Sequence, residues 1–190
     1  MYIALYRKKK NMSIPTGTWI IDGTHSTVGF TVRHLMISKV RGTFGAFTGT
    51  AVVADEFANT RIEGSVDVST VSTNEENRDT HLRSADFFDV EKYPEMKFTT
   101  TSIEATKDED EFLLHGELTI RDVTKPATFK AEFGGVTVDG YGQTKAALEA
   151  ATTINRTDFG LTWNSTLETG GVLVSEEVKI SLEAQAVLQN

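Results

Sequence analysis

In VKISLEAQA, residues 178–186, every second side chain is apolar: Val178, Ile180, Leu182, Ala184 and Ala186 alternate with Lys179, Ser181, Glu183 and Gln185. A period of two belongs to a strand, whose successive side chains leave on opposite faces. One face is therefore buried and the other wet, as in an antiparallel sheet covered on one side. The same rhythm runs through Phe112, Leu114, Gly116, Leu118 and Ile120. It recurs in Ala127, Phe129, Ala131 and Phe133, and in Ile62, Gly64, Val66 and Val68. Strand-like runs also cover roughly 26–33, 43–54, 97–105 and 143–154, and turn residues separate them (Asp22-Gly23, Lys107 to Asp110, Asp139-Gly140, Gly170-Gly171). With about eight or more antiparallel strands in one chain, closure into a barrel is the usual way to remove exposed edges.

One segment breaks the rhythm. In STNEENRDTHLRSADFFD, residues 72–89, Ser72 or Thr73 is placed to cap a helix with Glu75 or Glu76 three residues on. The helix should end near Arg83, and Tyr93-Pro94 returns the chain to extended geometry. The expectation is an all-β domain over 13–190 with one short helical insert. Residues 1–12 are set apart as a disordered extension. Their apolar part is short and precedes the basic cluster Arg7 to Lys10, the reverse of a secretory leader, so Met12 competes with Met1 as the natural start.

Composition removes several functions. The chain holds 19 Lys and Arg against 27 Asp and Glu, a net charge of −8, and no basic stripe for nucleic acid. With no cysteine there is no disulfide framework, thiolate metal site or Cys nucleophile. No run reaches the roughly 18 apolar residues of a membrane span, so stable membrane insertion is not expected. The order of the N-terminal segment and the lack of Cys favour a cytoplasmic protein.

Two histidines bracket GTHSTVGFTVRHL, residues 23–35. If 25–34 is one regular strand, His25 and His34 are nine apart and face opposite ways, so they do not converge on one metal. His34 shares its face with Val28, Phe30 and Val32. His115 lies on the polar face of its own strand, beside Glu117 and Thr119, and is expected to be solvated. A metal-dependent or hydrolytic site built from His25, His34 and His81 is the alternative to a binding protein, but HExxH, CxxC and GxSxG patterns are all lacking. Ser26 and His25 are strand neighbours and cannot form a nucleophile–base pair directly. The GYGQTK run at 140–145 reads as a turn. Asn155-Arg-Thr and Asn164-Ser-Thr are glycosylation sequons that matter only in a glycosylating pathway.

An eight-stranded barrel has room inside for side chains or one small ligand. RGTFGAFTG, residues 41–49, interleaves glycines that suit barrel corners with Phe44 and Phe47, which either fill the core or line a cavity. In the insert, Arg78, His81 and Arg83 stand near Phe87 and Phe88. That is either a solvated helix face or a gate where cations meet a polar head group and rings meet its tail.

Four blocks then carry a resemblance: WIIDGTHSTVGFTVRHLMISKVRGTFGAFTG (19–49), NRDTHLRSADFFDVEKYPEMKF (77–98), GELTIRDVTKPATF (116–129) and NRTDFGL (155–161). Together they resemble the YceI-like family of polyisoprenoid-binding proteins, in register from Trp19 to about Ala186. The resemblance implies an extended eight-stranded antiparallel lipocalin-like barrel. It also implies non-enzymatic carriage or storage of a polyisoprenoid, an isoprenoid quinone or a similar lipid, with neither cofactor nor metal. The ligand-binding residues expected on this basis are Phe30, Val32, His34, Phe44, Phe47, Arg78, His81, Phe87, Phe88 and Phe98. Exposed strand faces add the expectation of a homodimer. Replacing Phe30 with Trp should expel a lipid with near-normal stability if Phe30 lines a cavity. In a packed core the added ring costs about 1–3 kcal/mol. Thermal melts alongside lipid extraction separate the two.

Overall fold

Strands form where the sequence alternates and break where a turn or a distant side chain intervenes. The computed structural model of the protein describes residues 14–166 and 171–189; the expected extension at 1–12 lies outside them. The strands are β1 (Gly17–Ile21), β2 (Thr27–His34), β3 (Ser38–Phe44), β4 (Phe47–Val53), β5 (Arg61–Asp67), β6 (Val71–Ser72), β7 (Glu95–Ala105), β8 (Glu111–Ile120), β9 (Val123–Val138), β10 (Thr144–Asn155) and β11 (Val174–Leu188). One helix, α1 (Glu76–Arg83), interrupts them.

Around the wall the order is β1-β4-β5-β7-β8-β9-β10-β11, and β1 pairs back onto β11. Eight antiparallel strands thus close into a barrel with one helical insert, as the period-two pattern and the resemblance implied. The 15 residues of β11 serve two partners on one edge. β2 pairs between Val178↔Val32 and Glu183↔Thr27, and β1 pairs between Ile21↔Ala186 and Trp19↔Leu188. β1 and β2 therefore lie end to end, as do β3 and β4, which pair with β2 and β1 respectively. β2, β3 and the two-residue β6 carry the wall beyond the closed ring.

Two departures from the sequence reading have local causes. The run 43–54 is two strands, because the N–H groups of Gly45 and Ala46 both donate to Thr70 Oγ1 (3.0 and 3.1 Å) and kink the chain between β3 and β4. On one regular strand Phe44 and Phe47 would face opposite ways; the kink turns both inward. The helix cap is Glu75 rather than Ser72 or Thr73: its carboxylate accepts from the N–H groups of Asn77 and Arg78. Val71 and Ser72 are held in β6 against Phe44 and Thr43, and Asn74 turns the chain at φ 60°. Thr73 is left to bond the buried Asp79, which accepts from both its N–H and its hydroxyl.

The core divides along the barrel axis. Phe44, Val68, Val71, Phe87, Phe88 and Phe159 pack with Leu118 and Ile120 at the end that carries α1. Trp19, Val53 and Ala146 close the other end, where Trp19 Nε1–H donates to the Pro15 carbonyl at 3.0 Å. Two glycines seat aromatic rings. A Cβ on Gly42 would overlap the Phe30 ring directly across the pair, and one on Gly116 would overlap both the Phe98 ring and the Thr99 carbonyl. At Gly64 the nearest atom to such a Cβ is the Thr48 carbonyl, at 3.6 Å, an ordinary contact. Gly116→Ala should therefore cost about 1–3 kcal/mol or more by overpacking against backbone, while Gly64→Ala leaves urea unfolding midpoints nearly unchanged.

Candidate ligand cavity

The inward faces of β1, β2, β4, β5 and β7–β11 enclose two apolar cavities. The larger, about 230 Å³, is walled by residues that include Trp19, Phe47, Gly64, Phe98, Phe112 and Leu182. The smaller, about 110 Å³, lies beneath the helical insert against Phe30, Val32, Phe44, Leu82, Phe87 and Phe88. Val28, Met96 and Ile180 belong to both linings, so these three side chains stand at the threshold between the cavities. Gly64 leaves open wall on the larger cavity where a side chain would stand, while across from it on β4 the Ile21 side chain packs over Gly49, 3.4 Å from where a Cβ would lie.

The expected binding residues fall into two groups. Phe47 and Phe98 line the larger cavity, and Phe30, Val32, Phe44, Phe87 and Phe88 line the smaller. His34, Arg78 and His81 are in neither lining. Arg78 grips Thr73, with Nε–H donating to Oγ1 (2.7 Å) and an Nη2–H to the carbonyl (3.1 Å). Arg83 likewise donates to the carbonyls of Ser69 and Val71 at 2.9 and 3.0 Å. These cations fasten α1 to the 69–73 segment. His81 Nε2 pairs with Asp86 at 2.8 Å, and the imidazole stands edge-on to Phe87 and Trp163, with centroids 5.1 and 4.6 Å away.

The other histidines are separated. β2 begins at Thr27, so His25 sits in the turn before it, and His34 ends the strand. His25 Nδ1 pairs with Asp22 at 2.8 Å, and that hydrogen bond is the main cause holding the Asp22 carboxyl below its ordinary pKa. His115 is half-exposed on the outer wall rather than simply solvated, bonded to Thr128 Oγ1 and Glu104 Oε2 at 2.9 and 3.1 Å. Among the described residues no group of three or more His, Asp or Glu is placed to hold a metal ion.

Arg156, which no local sequence signal marks as part of a site, is only 4% exposed at the wall of the smaller cavity. Its guanidinium donates to the carbonyls of Ser175 (2.9 Å), Trp163 (2.9 Å), Leu161 and Val174 (3.4 Å), tying the turn after β10 to the start of β11. Burial pushes its pKa down, with Glu176 pulling weakly the other way. The planar five-donor fork suits a cluster of carbonyls as no ammonium can.

Against this geometry, the model of the YceI-like domain matches residues 19–186. The chain belongs to the YceI-like family. A UPF0312 protein of Staphylococcus aureus strain MSSA476 is 37% identical over 169 residues, covering 86% of this chain and 94% of the relative. The solved Campylobacter jejuni YceI protein is 30% identical with a TM-score of 0.71, covering 83% of this chain and 90% of that one. Two structures share the fold at lower identity. Burkholderia cenocepacia BcnA has a TM-score of 0.76 at 17% identity, covering 87% of this chain and 98% of its own. A polyisoprenoid binding domain from Saccharophagus degradans has a TM-score of 0.68 at 13% identity, covering 90% and 98%.

Arg156→Met should lower stability by about 2–4 kcal/mol, because it leaves several buried carbonyls without donors. Arg156→Lys should recover only part of that loss in urea unfolding, since one ammonium cannot span the same carbonyls.

Proposed function

We propose that this protein binds and carries, without catalysis, a long apolar molecule such as a polyisoprenoid, the tail of an isoprenoid quinone or a similar lipid. The observation that carries the reading is the pair of apolar cavities set end to end, with Val28, Met96 and Ile180 bordering both. An elongated dry interior suits a chain better than a disc. An apolar cavity of about 150 Å³ accepts benzene, so the larger chamber alone suits more than one five-carbon unit. Burial of about ten carbons gains roughly 8 kcal/mol gross, before the cost of association is subtracted. The description of the Saccharophagus degradans neighbour as a polyisoprenoid binding domain supports the same ligand class. Seven of the residues named from the sequence border the two cavities, which supports the same reading.

Gly64→Leu provides the test. A side chain at Gly64 enters the larger cavity with no close contact at its Cβ. The variant should melt within a few degrees of the parent and lose the lipid that native mass spectrometry and organic extraction recover from the parent. Equal lipid in both proteins would overturn the assignment of this cavity. Stoichiometric bound metal in place of lipid would favour the histidine-based enzyme.

A further inference from the structure

We propose that the tip of the β2–β3 hairpin docks this protein on an anionic lipid bilayer. The tip is Leu35-Met36-Ile37. Met36 and Ile37 are 55% and 83% exposed. Leu35 and Met36 both hold positive φ, 52° and 63°, in a turn that the Ile37 N–H closes onto the His34 carbonyl at 3.2 Å. Such turns favour Asn-Gly; bulky apolar residues there are strained, and Met36 and Ile37 bury little of their surface in return. Strain retained at an exposed apolar tip points to a use outside the fold.

Charge identifies the partner. From Gly23 to Ala54 there is no acid, in a chain of net charge −8. Val28, Phe30 and Val32 point into the barrel, so the alternate residues of the hairpin point out. Arg33 pairs across from Lys39, and Thr31 lies between Arg41 and Lys179. All four cations are exposed, and none forms an ion pair among the described residues. Two exposed carboxylates, Glu176 and Glu177, stand in the β11 bulge beside Arg33, so the four cations outnumber the acids next to the tip by two to one. Apolar prongs on such a net-basic surface are the pattern of a face that enters the headgroup layer of an anionic membrane. The tip also adjoins the smaller cavity: Val32 and Val174 line it, Val174 pairs with His34, and the Leu35 N–H donates to Leu173 at 2.9 Å. Docked this way, the barrel presents its insert end to the bilayer. The inference is independent of what the cavity holds.

The test is flotation with vesicles of phosphatidylglycerol and phosphatidylcholine, with phosphatidylcholine vesicles as the comparison. The wild-type protein should float with the anionic vesicles, less so as salt is raised, and not with neutral ones. Neutralising Arg33, Lys39 and Arg41 together to Gln should weaken binding on the order of a hundredfold, about fivefold per charge. The variant Leu35→Asn, Met36→Gly, Ile37→Ser removes the prongs and relieves the turn. It should melt at or above the wild-type temperature, keep any extractable lipid, and fail to float. Failure of the wild-type protein to bind, equal binding to neutral vesicles, or unimpaired binding by the tip variant would each overturn the proposal. So would a wild-type dimer that the tip substitutions merely dissociate, since the occupant would then be a second copy.

Discussion

Everything in this molecule depends on one long strand edge being shared. β11 offers its edge to β2 along one half and to β1 along the other, and only three residue pairs, Trp19↔Leu188, Ile20↔Val187 and Ile21↔Ala186, complete the ring. Without them the sheet would end in open strand edges, which invite pairing with other chains. With them, β1–β2 and β3–β4 act as two double-length strands, each broken once. The breaks let the inward-facing register restart at Val28 and Phe47, so apolar side chains face the interior along the whole length. The elongated interior follows from that restart.

Room inside comes from what is missing on particular strands. A barrel of this strand number fills with side chains unless small residues interrupt the layers. Gly64 leaves wall bare, while Gly42 and Gly116 do the opposite and receive the Phe30 and Phe98 rings. Glycines on facing strands thus do two distinct jobs, opening volume in the middle of the barrel and laying aromatic rings flat against its wall.

The alternating runs made the strands and their buried faces readable before any coordinates, because period two depends only on neighbours in sequence. What escaped reading depends on residues far apart. The kink at Gly45–Ala46 needs the Thr70 hydroxyl, and the displaced helix cap needs β6 to capture Val71 and Ser72. The charge of the insert's cations does not reveal that Arg78 and Arg83 bond backbone carbonyls of the segment ahead of the helix. Arg156 had no local signal beyond its place in one of the four resembling blocks, since nothing next to it in sequence shows that four carbonyls converge on it. Inward faces were legible; which inward residues border open volume was not, because that is set by glycines on neighbouring strands.

The threshold between the chambers has a mechanical character of its own. Val28 and Ile180 are β-branched and stiff about their first side-chain torsion, whereas Met96 is unbranched, with three rotatable bonds and a soft sulfur. Two rigid posts therefore face one pliable arm. Side-chain rotation of this kind needs no movement of the backbone, so the barrel can stay closed while its bore changes. Of the three side chains that border both cavities, the thioether is the one able to yield to a chain lying along the bore without disturbing a strand.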